Sequence, residues 1–263
     1  LEATRTVVAS TSWAETSSAT PAELAEDSDE YTPTANNVGT LAADTGVNGG
    51  QASFQLNIPL PPGRAGMQPQ VAISYNSQQG NGVLGVGFSL SAAGAISRCP
   101  ATLAQDGFAA GVNYSLSNDR LCLDGARLIA VQGVYGQTGT IYRTELDQFT
   151  RVTQLGGNLN QPGTYFTAEY GNEQTAIFGS SGSAAKVIHF GRNETFSWLL
   201  NYQHDATVKN VVHYNYVAAG AGEIVLSTIN YTGNSVSAQG DRQVSFDYEA
   251  RPDTRNSYLA EGL

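Results

Sequence analysis

The sequence predicts an all-β protein in which an antiparallel, meandering sheet forms an open, β-barrel-like structure. Only 14% of the 263 residues are charged, whereas glycine (29) and tyrosine (13) are abundant. Short segments of alternating apolar and polar residues recur about every 8–14 residues, with Gly or Asn at most of the breaks. Beyond residue 50 no segment keeps a 3.6-residue apolar period for three turns, so long helices are not expected there.

The globular pattern begins at Ala52 with a half-buried strand. Apolar side chains occupy every second position of this strand, which places them on one face. They are Phe54, Leu56, Ile58 and Leu60. The next segment, "PPGRAGMQP", contains three prolines that cannot donate to a β-ladder, so it is predicted to be a loop. Val71, Ile73 and Tyr75 then alternate in a second strand, and the two strands are predicted to pair as a long-looped hairpin.

Eleven further strands are predicted, joined mostly as consecutive antiparallel neighbours. Their ranges are 121–123, 127–131, 140–143, 148–155, 164–170, 175–178, 186–190, 196–202, 211–217, 223–231 and 243–248. Tyrosines and other aromatics within them lie mainly at alternating positions, which is typical of core or cross-strand partners and also compatible with stacking on sugars.

The first 48 residues are predicted to be a loosely structured acidic leader, and residues 49–263 a single β domain. Residues 1–50 hold eight acidic residues and one basic residue, a net charge of −7 out of −10 for the whole chain. An acidic segment rich in Ala, Ser and Thr is typical of a solvated leader. Within it, only residues 21–30 have the pattern of a short helix, with Thr20 as the N-cap.

Basic residues are too sparse to indicate a polyanionic partner. The chain has only two lysines, Lys186 and Lys209, and binding to nucleic acid or anionic lipid requires clustered Lys and Arg. No apolar run approaches the roughly 18 residues of a membrane span. Residues 1–12 lack the basic and long apolar regions of a signal peptide, so the chain is expected to be a processed form or a piece of a longer one.

The two cysteines, Cys99 and Cys122, are the only ones in the chain. A zinc site would need further ligands, and none of the three histidines lies nearby in sequence. A disulfide fits an exported protein better, and it would close a 24-residue loop worth about 3 kcal/mol. Two unpaired, buried thiols remain the alternative.

A glycine-rich segment, "ISYNSQQGNGVLGVGFSL", matches the G-x-G-x-x-G fingerprint of a dinucleotide site at Gly80, Gly82 and Gly85. Asp106, 21 residues after the last of these glycines, lies roughly where a ribose-binding carboxylate belongs. However, a helix must begin inside that fingerprint, and Gly85 and Gly87 would each cost a helix about 1 kcal/mol. The segment is therefore predicted to bend between extended strands, with Asn81–Gly82 as a type I′ turn pair, and no cofactor is expected.

Two further groupings could indicate an enzyme. His204 and Asp205 are adjacent, but neighbouring residues on a strand point to opposite faces, so a turn-capping Asp is the simpler interpretation. Glu145 and Asp147 lie two residues apart, as on one face of a strand, whereas glycosidase carboxylates usually come from separate strands. No catalytic residues are predicted, and a glycosidase stays the weaker alternative to a structural or sugar-binding β domain.

Residues 50–98 resemble the opening of the SpvB N-terminal domain family. The family pattern combines a Pro-rich "PLPPGRGG–P" turn, an "LxYxS" strand, "GNGxxGxGWxL" and "IxR". The matching positions are Pro59, Pro61, Pro62, Gly63, Arg64, Gly66, Pro69, Tyr75, Ser77, Gly80, Asn81, Gly82, Gly85, Gly87, Phe88, Leu90, Ile96 and Arg98. Phe88 replaces the usual Trp, and the hairpin at residues 208–210 lacks the family's Gly. Later pieces such as "NDRLCLDGARL" and "HDATVKNVVHYNY" extend the resemblance to about residues 50–263.

This resemblance implies a non-catalytic module forming part of a β-sheet shell that encloses the C-terminal toxic region of an RHS-repeat or Tc-type toxin. Its partners would be the rest of its own polypeptide, the enclosed toxic region and other toxin-complex subunits. The cysteine-containing form resembles the secreted RHS-repeat subset, which implies a bacterial protein that is secreted or held at the cell surface. The alternative function is an extracellular carbohydrate- or surface-binding domain.

Overall fold

A computed structural model describes residues 5–13, 43–48, 50–146, 149–180, 184–220 and 222–250. It confirms the all-β fold, with nineteen strands and one four-residue helix in this part of the chain. In chain order the strands are β1 (Arg5–Trp13), β2 (Ala43–Asn48), β3 (Gln51–Ile58), β4 (Val71–Asn76), β5 (Asn81–Gly82), β6 (Gly85–Val86), β7 (Phe88–Ser91), β8 (Ala95–Cys99), β9 (Arg120–Leu123), β10 (Ala126–Gln132), β11 (Ile141–Thr144), β12 (Arg151–Leu155), β13 (Tyr165–Glu169), β14 (Thr175–Phe178), β15 (Lys186–Val187), β16 (Ser197–His204), β17 (Val211–Gly220), β18 (Glu223–Gly233) and β19 (Arg242–Ala250). The helix α1 (Leu103–Asp106) lies between β8 and β9.

Eight strands close into a barrel. Strands β8 to β14 each pair with the next strand in sequence, although the helix α1 lies in the chain between β8 and β9. Strand β16 then pairs with β14 on one side and with β8 on the other. All of these pairings are antiparallel. Closure removes the unpaired edges that an open sheet would present, and eight strands leave an interior that side chains can fill.

The long strand β16 also begins a second part of the same sheet. It continues through β17, β18 and β19 to β1, which pairs with β19 over all nine of its residues. A separate four-stranded sheet has the order β2-β3-β4-β7. The hairpin of β3 and β4 is the long-looped one that the alternation of residues 52–60 and 71–75 predicts.

A single buried core connects these parts. The barrel interior is filled by inward-facing side chains from successive strands, and Trp198, Phe166, Tyr142, Leu121 and Ile96 are fully buried there. The same cluster extends to Met67 and Val71 beside the four-stranded sheet and to residues of β18 and β19. The proline-rich loop is tied to this region, because Tyr231 donates a hydrogen bond to the Pro61 carbonyl at 3.1 Å.

The structure departs from the expected leader at two segments. Strands β1 and β2 both lie within residues 1–48, which were expected to be loosely structured. Strand β2 contains Asp44 and Gly46, residues that disfavour strands, but all six of its residues are paired with β3. Hydrogen bonds to β3 thus stabilise β2 as a strand although its composition disfavours one. The helix expected at residues 21–30 lies outside the described residues.

Two predicted strands are shorter than expected by three residues at one end. The strand expected over 148–155 begins at Arg151, because Phe149 has a left-handed backbone with φ 58°. The strand expected over 186–190 ends at Val187, and a turn closes where the Arg192 amide donates to the His189 carbonyl. Strands β7 and β8, directly after the glycine-rich segment, were missed, as was helix α1.

Candidate functional site: the anchored end of the barrel

The glycine-rich segment forms a small hairpin and launches no helix. Strand β5 pairs with β6, with Asn81 opposite Val86 and Gly82 opposite Gly85. The segment therefore lacks the helix N-terminus that a dinucleotide pyrophosphate requires. It bends between extended strands, and its end is bound back to β4, because the Asn76 amide donates to the Gly87 carbonyl at 2.8 Å.

The turn of this hairpin lies at Val83 and Leu84, and the expected turn at Asn81–Gly82 is wrong. Those two residues are paired strand residues instead. The positive φ angles fall after the turn, at Gly85 (114°) and Gly87 (81°). Because glycines at these later positions supply the left-handed backbone, the Asn–Gly pair is not needed for the reversal.

Gly87 is required both for its backbone angle and for its lack of a side chain. A Cβ atom there would lie 2.4 Å from Cε2 of Tyr75 and 3.0 Å from the Asn76 carbonyl oxygen. The Tyr75 ring is in turn packed against Phe88, with centroids 4.9 Å apart. Gly87 thus lets the segment approach β4 closely enough for this ring pair to form.

We expect Gly87→Ala to lower the free energy of unfolding by about 2 kcal/mol, since a left-handed non-glycine residue costs roughly 1–2 kcal/mol before any steric overlap is counted. Gly80→Ala is the matched control, because Gly80 has an ordinary φ and open space around its Cα. Urea denaturation of both variants measures the difference. Equal midpoints for the two would show that the close approach at Gly87 is unimportant.

The disulfide joins Cys99 at the end of β8 to Cys122 on β9, with a Cα–Cα distance of 6.0 Å. The two residues lie diagonally across the strand pair, because Cys99 is opposite Arg120 and Cys122 is opposite Ser97. The chain between them contains α1, which Thr102 caps by accepting a hydrogen bond from the Gln105 amide. The disulfide thus holds the segment that contains α1 against the barrel wall.

Asp106 is bound by two arginines next to this disulfide. Its carboxylate pairs with Arg120 at 2.7 Å and with Arg127, and it accepts a hydrogen bond from the Thr102 amide at 2.9 Å. Burial would raise the pKa of Asp106, but these hydrogen bonds and the attraction of Arg127 outweigh it and lower the pKa to about 2. The residue that a nucleotide fingerprint would assign to a ribose is therefore a structural ion-pair partner.

Acid should weaken the fold through Asp106. Its folded pKa of about 2 lies below the ordinary aspartate pKa of 3.8, so its stabilising effect is complete above about pH 4 and is lost as the pH falls towards 2. We expect the free energy of unfolding to decrease over this window in the parent chain and to change less in Asp106→Asn. Chemical denaturation at stepped pH values measures both slopes. Glu169→Gln, in an exposed ion pair, should retain the parent slope, and identical slopes for Asp106→Asn would contradict this assignment.

Arg98 lies at one end of the barrel and binds several of its connections, so we call this end the anchored end. It projects from β8 on the same face as Ile96 and is 2% exposed. Its guanidinium pairs with Asp119 at 2.7 Å, and both side chains are fully buried. Buried charges are stable only when such pairing is supplemented by further hydrogen bonds.

Three further N–H groups of Arg98 also donate hydrogen bonds. Nε donates to the Thr195 carbonyl at 2.8 Å, and Nη2 donates to the Leu159 carbonyl at 2.6 Å and to Oδ1 of Asn160 at 2.8 Å. The second carboxylate oxygen of Asp119 accepts from the Asn113 amide at 3.0 Å. One side chain thus joins three separate connections of the barrel: residues 113–119, 159–160 and 195.

Aromatic rings enclose this ion pair. The guanidinium carbon of Arg98 lies 4.9 Å from the centroid of the Tyr114 ring and 5.8 Å from that of Trp198. Arg192 lies 4.5 Å from the Tyr114 ring, and the Tyr114 hydroxyl is 3.0 Å from Nδ1 of His189. The rings keep the ion pair buried, and the pair holds together the connections at one end of the barrel.

Of the two groupings that could indicate an enzyme, only His204 and Asp205 lie entirely within the described residues. Asp205 caps its turn, accepting hydrogen bonds from Thr207, the Lys209 amide and Asn210, as the simpler interpretation predicts. Glu145 is exposed and accepts a hydrogen bond from Gln105, whereas Asp147 lies outside the described residues. Among the residues that the structure describes, no group of three or more His, Cys, Asp or Glu could hold a metal ion, and no helix could span a membrane.

Sequence reasoning identified Arg98 only as one position of a motif and missed Asp119, Asn160 and Tyr114. An arginine at an inward-facing position of "AISRC" was an available signal, because a buried arginine needs a buried acceptor. The acceptors that Arg98 binds lie 21 to 97 residues away in the chain. A local sequence pattern does not predict contacts over such separations.

The barrel with its attached sheets is a β module of the fold found in Tc toxin chains. In a crystal structure of TcdB2-TccC3 the similarity covers 73% of this chain and 10% of the toxin chain, with 19% identity and a TM-score of 0.58. A Photorhabdus luminescens Tc holotoxin pore gives 20% identity and a TM-score of 0.58 over 72% of this chain and 10% of that one. The chain thus spans about a tenth of the toxin chains that it matches.

The chain belongs to the SpvB family. The family profile, described as Salmonella virulence plasmid 65kDa B protein, matches residues 46–245. The N-terminal domain of the effector protein SpvB from Salmonella typhimurium strain LT2 has the same fold, with 17% identity and a TM-score of 0.54 over 79% of this chain and 78% of that one. No curated protein matches the chain significantly in sequence.

Proposed function

We propose that this chain is a non-catalytic wall module of a β-sheet shell that encloses the C-terminal toxic region of a secreted bacterial toxin of the RHS or Tc type. The observation that carries the proposal is the fold shared with Tc toxin chains, of which this chain spans about one tenth. A module of that size and family is one part of a larger polypeptide. Its partners would be the remainder of that polypeptide, the enclosed region and other subunits of a toxin complex.

The geometry supports a wall in two respects. The closed barrel and its Arg98 network make a rigid unit whose interior is packed with side chains, as a load-resistant wall requires. In addition, β1, β2 and β7 each pair on one side only within the described part of the chain. Unpaired strand edges are where further strands add to a sheet, so the module has edges at which the shell could continue.

An exposed apolar strip offers a further contact surface. Ile129 and Val131 on β10 and Val134 just beyond it are 42%, 55% and 69% exposed. Contiguous apolar side chains on a surface mark sites that another protein segment covers. In a shell, this strip would pack against a neighbouring part of the same polypeptide.

The test is protease protection of the downstream region. The natural polypeptide containing this chain would be expressed with a C-terminal epitope tag and treated with a nonspecific protease, beside the C-terminal region expressed alone. We expect the enclosed region to resist digestion in the complete polypeptide, and the same region expressed alone to be digested. Without protease, the region expressed alone should retain its full toxic activity. Equal digestion in both forms, or a reading frame that stops near Leu263, would rule out the proposal.

A further inference from the structure

A polar cleft of about 960 Å³ lies where the four-stranded sheet meets the barrel. Its walls come from the loop before β4, the chain from β7 to β8, the turn between β13 and β14, and strands β16 and β17. Clefts of roughly 300–1,000 Å³ at the junction of two structural units are the usual sites of small ligands. The Arg98 network does not contribute to this cleft.

One lining side chain, Tyr214, presents its hydroxyl to the cleft. Tyr214 is only 4% exposed, yet within the described part of the chain its hydroxyl makes no hydrogen bond, in contrast to the hydroxyls of Tyr216 and Tyr248, which donate to backbone carbonyls. A ligand or water in the cleft is the partner that remains for Tyr214.

Other polar groups converge on the same space. The Tyr170 hydroxyl and the side-chain amides of Gln174 and Gln203 also line the cleft and have no hydrogen-bond partner among the described residues. One carboxylate oxygen of Asp124 accepts from the Ala95 amide at 2.7 Å, which leaves the other for a ligand. Together they offer the mixed donors and acceptors that fix the orientation of a polar ligand.

Both tyrosines keep their protons at neutral pH. Burial, together with the nearby Asp124 charge, raises the pKa of Tyr170 to about 12. Burial also raises the pKa of Tyr214, and the neighbouring Tyr170 adds to that effect. Each hydroxyl can therefore donate a hydrogen bond as well as accept one.

The charges of the cleft exclude an anionic ligand. Among the described residues, no Lys or Arg lines it, and Asp124 is its only carboxylic acid. Phosphates and carboxylates are recognised by Arg, Lys or helix N-termini, none of which this cleft provides. Its lining includes the partly exposed Leu90 and the exposed Ala93, which supply the apolar contact that the carbon faces of a sugar ring can cover.

From these contacts we infer that the cleft binds a neutral oligosaccharide, with Tyr214, Tyr170, Gln203 and Asp124 hydrogen-bonding its hydroxyls. A peptide segment is the less favoured occupant, because the unsatisfied groups are side-chain hydroxyls and amides at the base of the cleft. Peptide recognition by strand addition depends instead on backbone groups along a sheet edge. The inference is independent of the proposed shell, since it concerns binding by this chain alone.

The test uses the 263-residue chain and three neutral probes: maltotriose, cellotriose and triacetylchitotriose. Saturation-transfer NMR and calorimetry would measure binding by the parent chain, by Tyr214→Phe and by Gln203→Ala. We expect at least one probe to bind and each substitution to weaken it about five-fold, the effect of one lost hydrogen bond. Tyr165→Phe, on β13 outside the cleft, is the matched control and should bind like the parent.

Each other outcome would overturn the inference. Absence of binding to all three probes would do so, as would binding that Tyr214→Phe leaves unchanged or that Tyr165→Phe weakens equally. A sialylated trisaccharide bound as tightly as the neutral probes would contradict the charge argument. Peptides selected from a random library that bind the parent chain but not Tyr214→Phe, in a chain that binds no saccharide, would assign the cleft to a peptide.

Discussion

Replacing Arg98 by Met is expected to lower the free energy of unfolding by about 3–5 kcal/mol, the cost of removing one partner of a fully buried ion pair. The substitution keeps a long apolar side chain in the barrel but leaves the Asp119 carboxylate without its 2.7 Å partner. It also leaves the Thr195 and Leu159 carbonyls without the donors that now bind them. Three connections of the barrel lose their common anchor, so the whole domain rather than one loop should unfold earlier.

Two comparisons make this expectation specific. Arg151→Met removes an arginine from an ion pair whose side chains are 47% and 51% exposed, and exposed pairs contribute about 0–1 kcal/mol. The double variant Arg98→Met/Asp119→Leu also removes the carboxylate that Arg98→Met leaves buried without a partner. It should recover part of the lost free energy of unfolding. Urea denaturation measures all three variants. Similar midpoints for Arg98→Met and Arg151→Met would show that the buried network does not anchor the barrel.

Local pattern was sufficient for most of the strands. The alternation of Phe54, Leu56 and Ile58 specifies one face of β3, and the strand expected over residues 175–178 matches β14 in both bounds. Period-two patterns report which side chains face the core, and that information is local. For the same reason the consecutive antiparallel order of β9 to β14 could be read from the sequence, since short turns make neighbours in sequence neighbours in the sheet.

The sequence could not predict the contacts between residues that are far apart in the chain. Closure of the barrel depends on β16 pairing with β8, in which Ser197 lies opposite Ser97 across 100 residues. No local signal marks Ser97 as a partner of β16. Strand β8 itself was missed because it has only five residues and comes shortly after the glycine-rich segment. Strand β2 illustrates the same limit, since its composition disfavours a strand but its pairing with β3 enforces one. The same limit applies to the candidate site, because Arg98, Asp119 and Tyr114 come together only when the barrel closes.

Removing the disulfide is the second large effect expected. The variant Cys99→Ala/Cys122→Ala should lose about 3 kcal/mol of stability, because the unfolded chain regains the conformational freedom of a 24-residue loop. For a domain of this size that loss corresponds to a fall in melting temperature of roughly 6–12 °C. The loss should be global rather than local, since β8 carries both Cys99 and Arg98. Loosening the end of β8 therefore disturbs the strand that closes the barrel.

The same bond can be broken chemically, which separates its effect from that of the substitutions. Under dithiothreitol the parent chain should melt near the temperature of the double alanine variant, while the variant itself should be insensitive to the reductant, because the described part of the chain contains no free cysteine. Calorimetry with and without reductant, with mass spectrometry to verify reduction, gives both comparisons. Asp106 provides a second readout, since its contacts with Arg120 and Arg127 hold the bridged loop, and Asp106→Asn should cost more in the reduced than in the oxidised protein. A parent chain that is fully reduced yet melts at its original temperature would mean that these ion pairs alone hold the loop against the barrel.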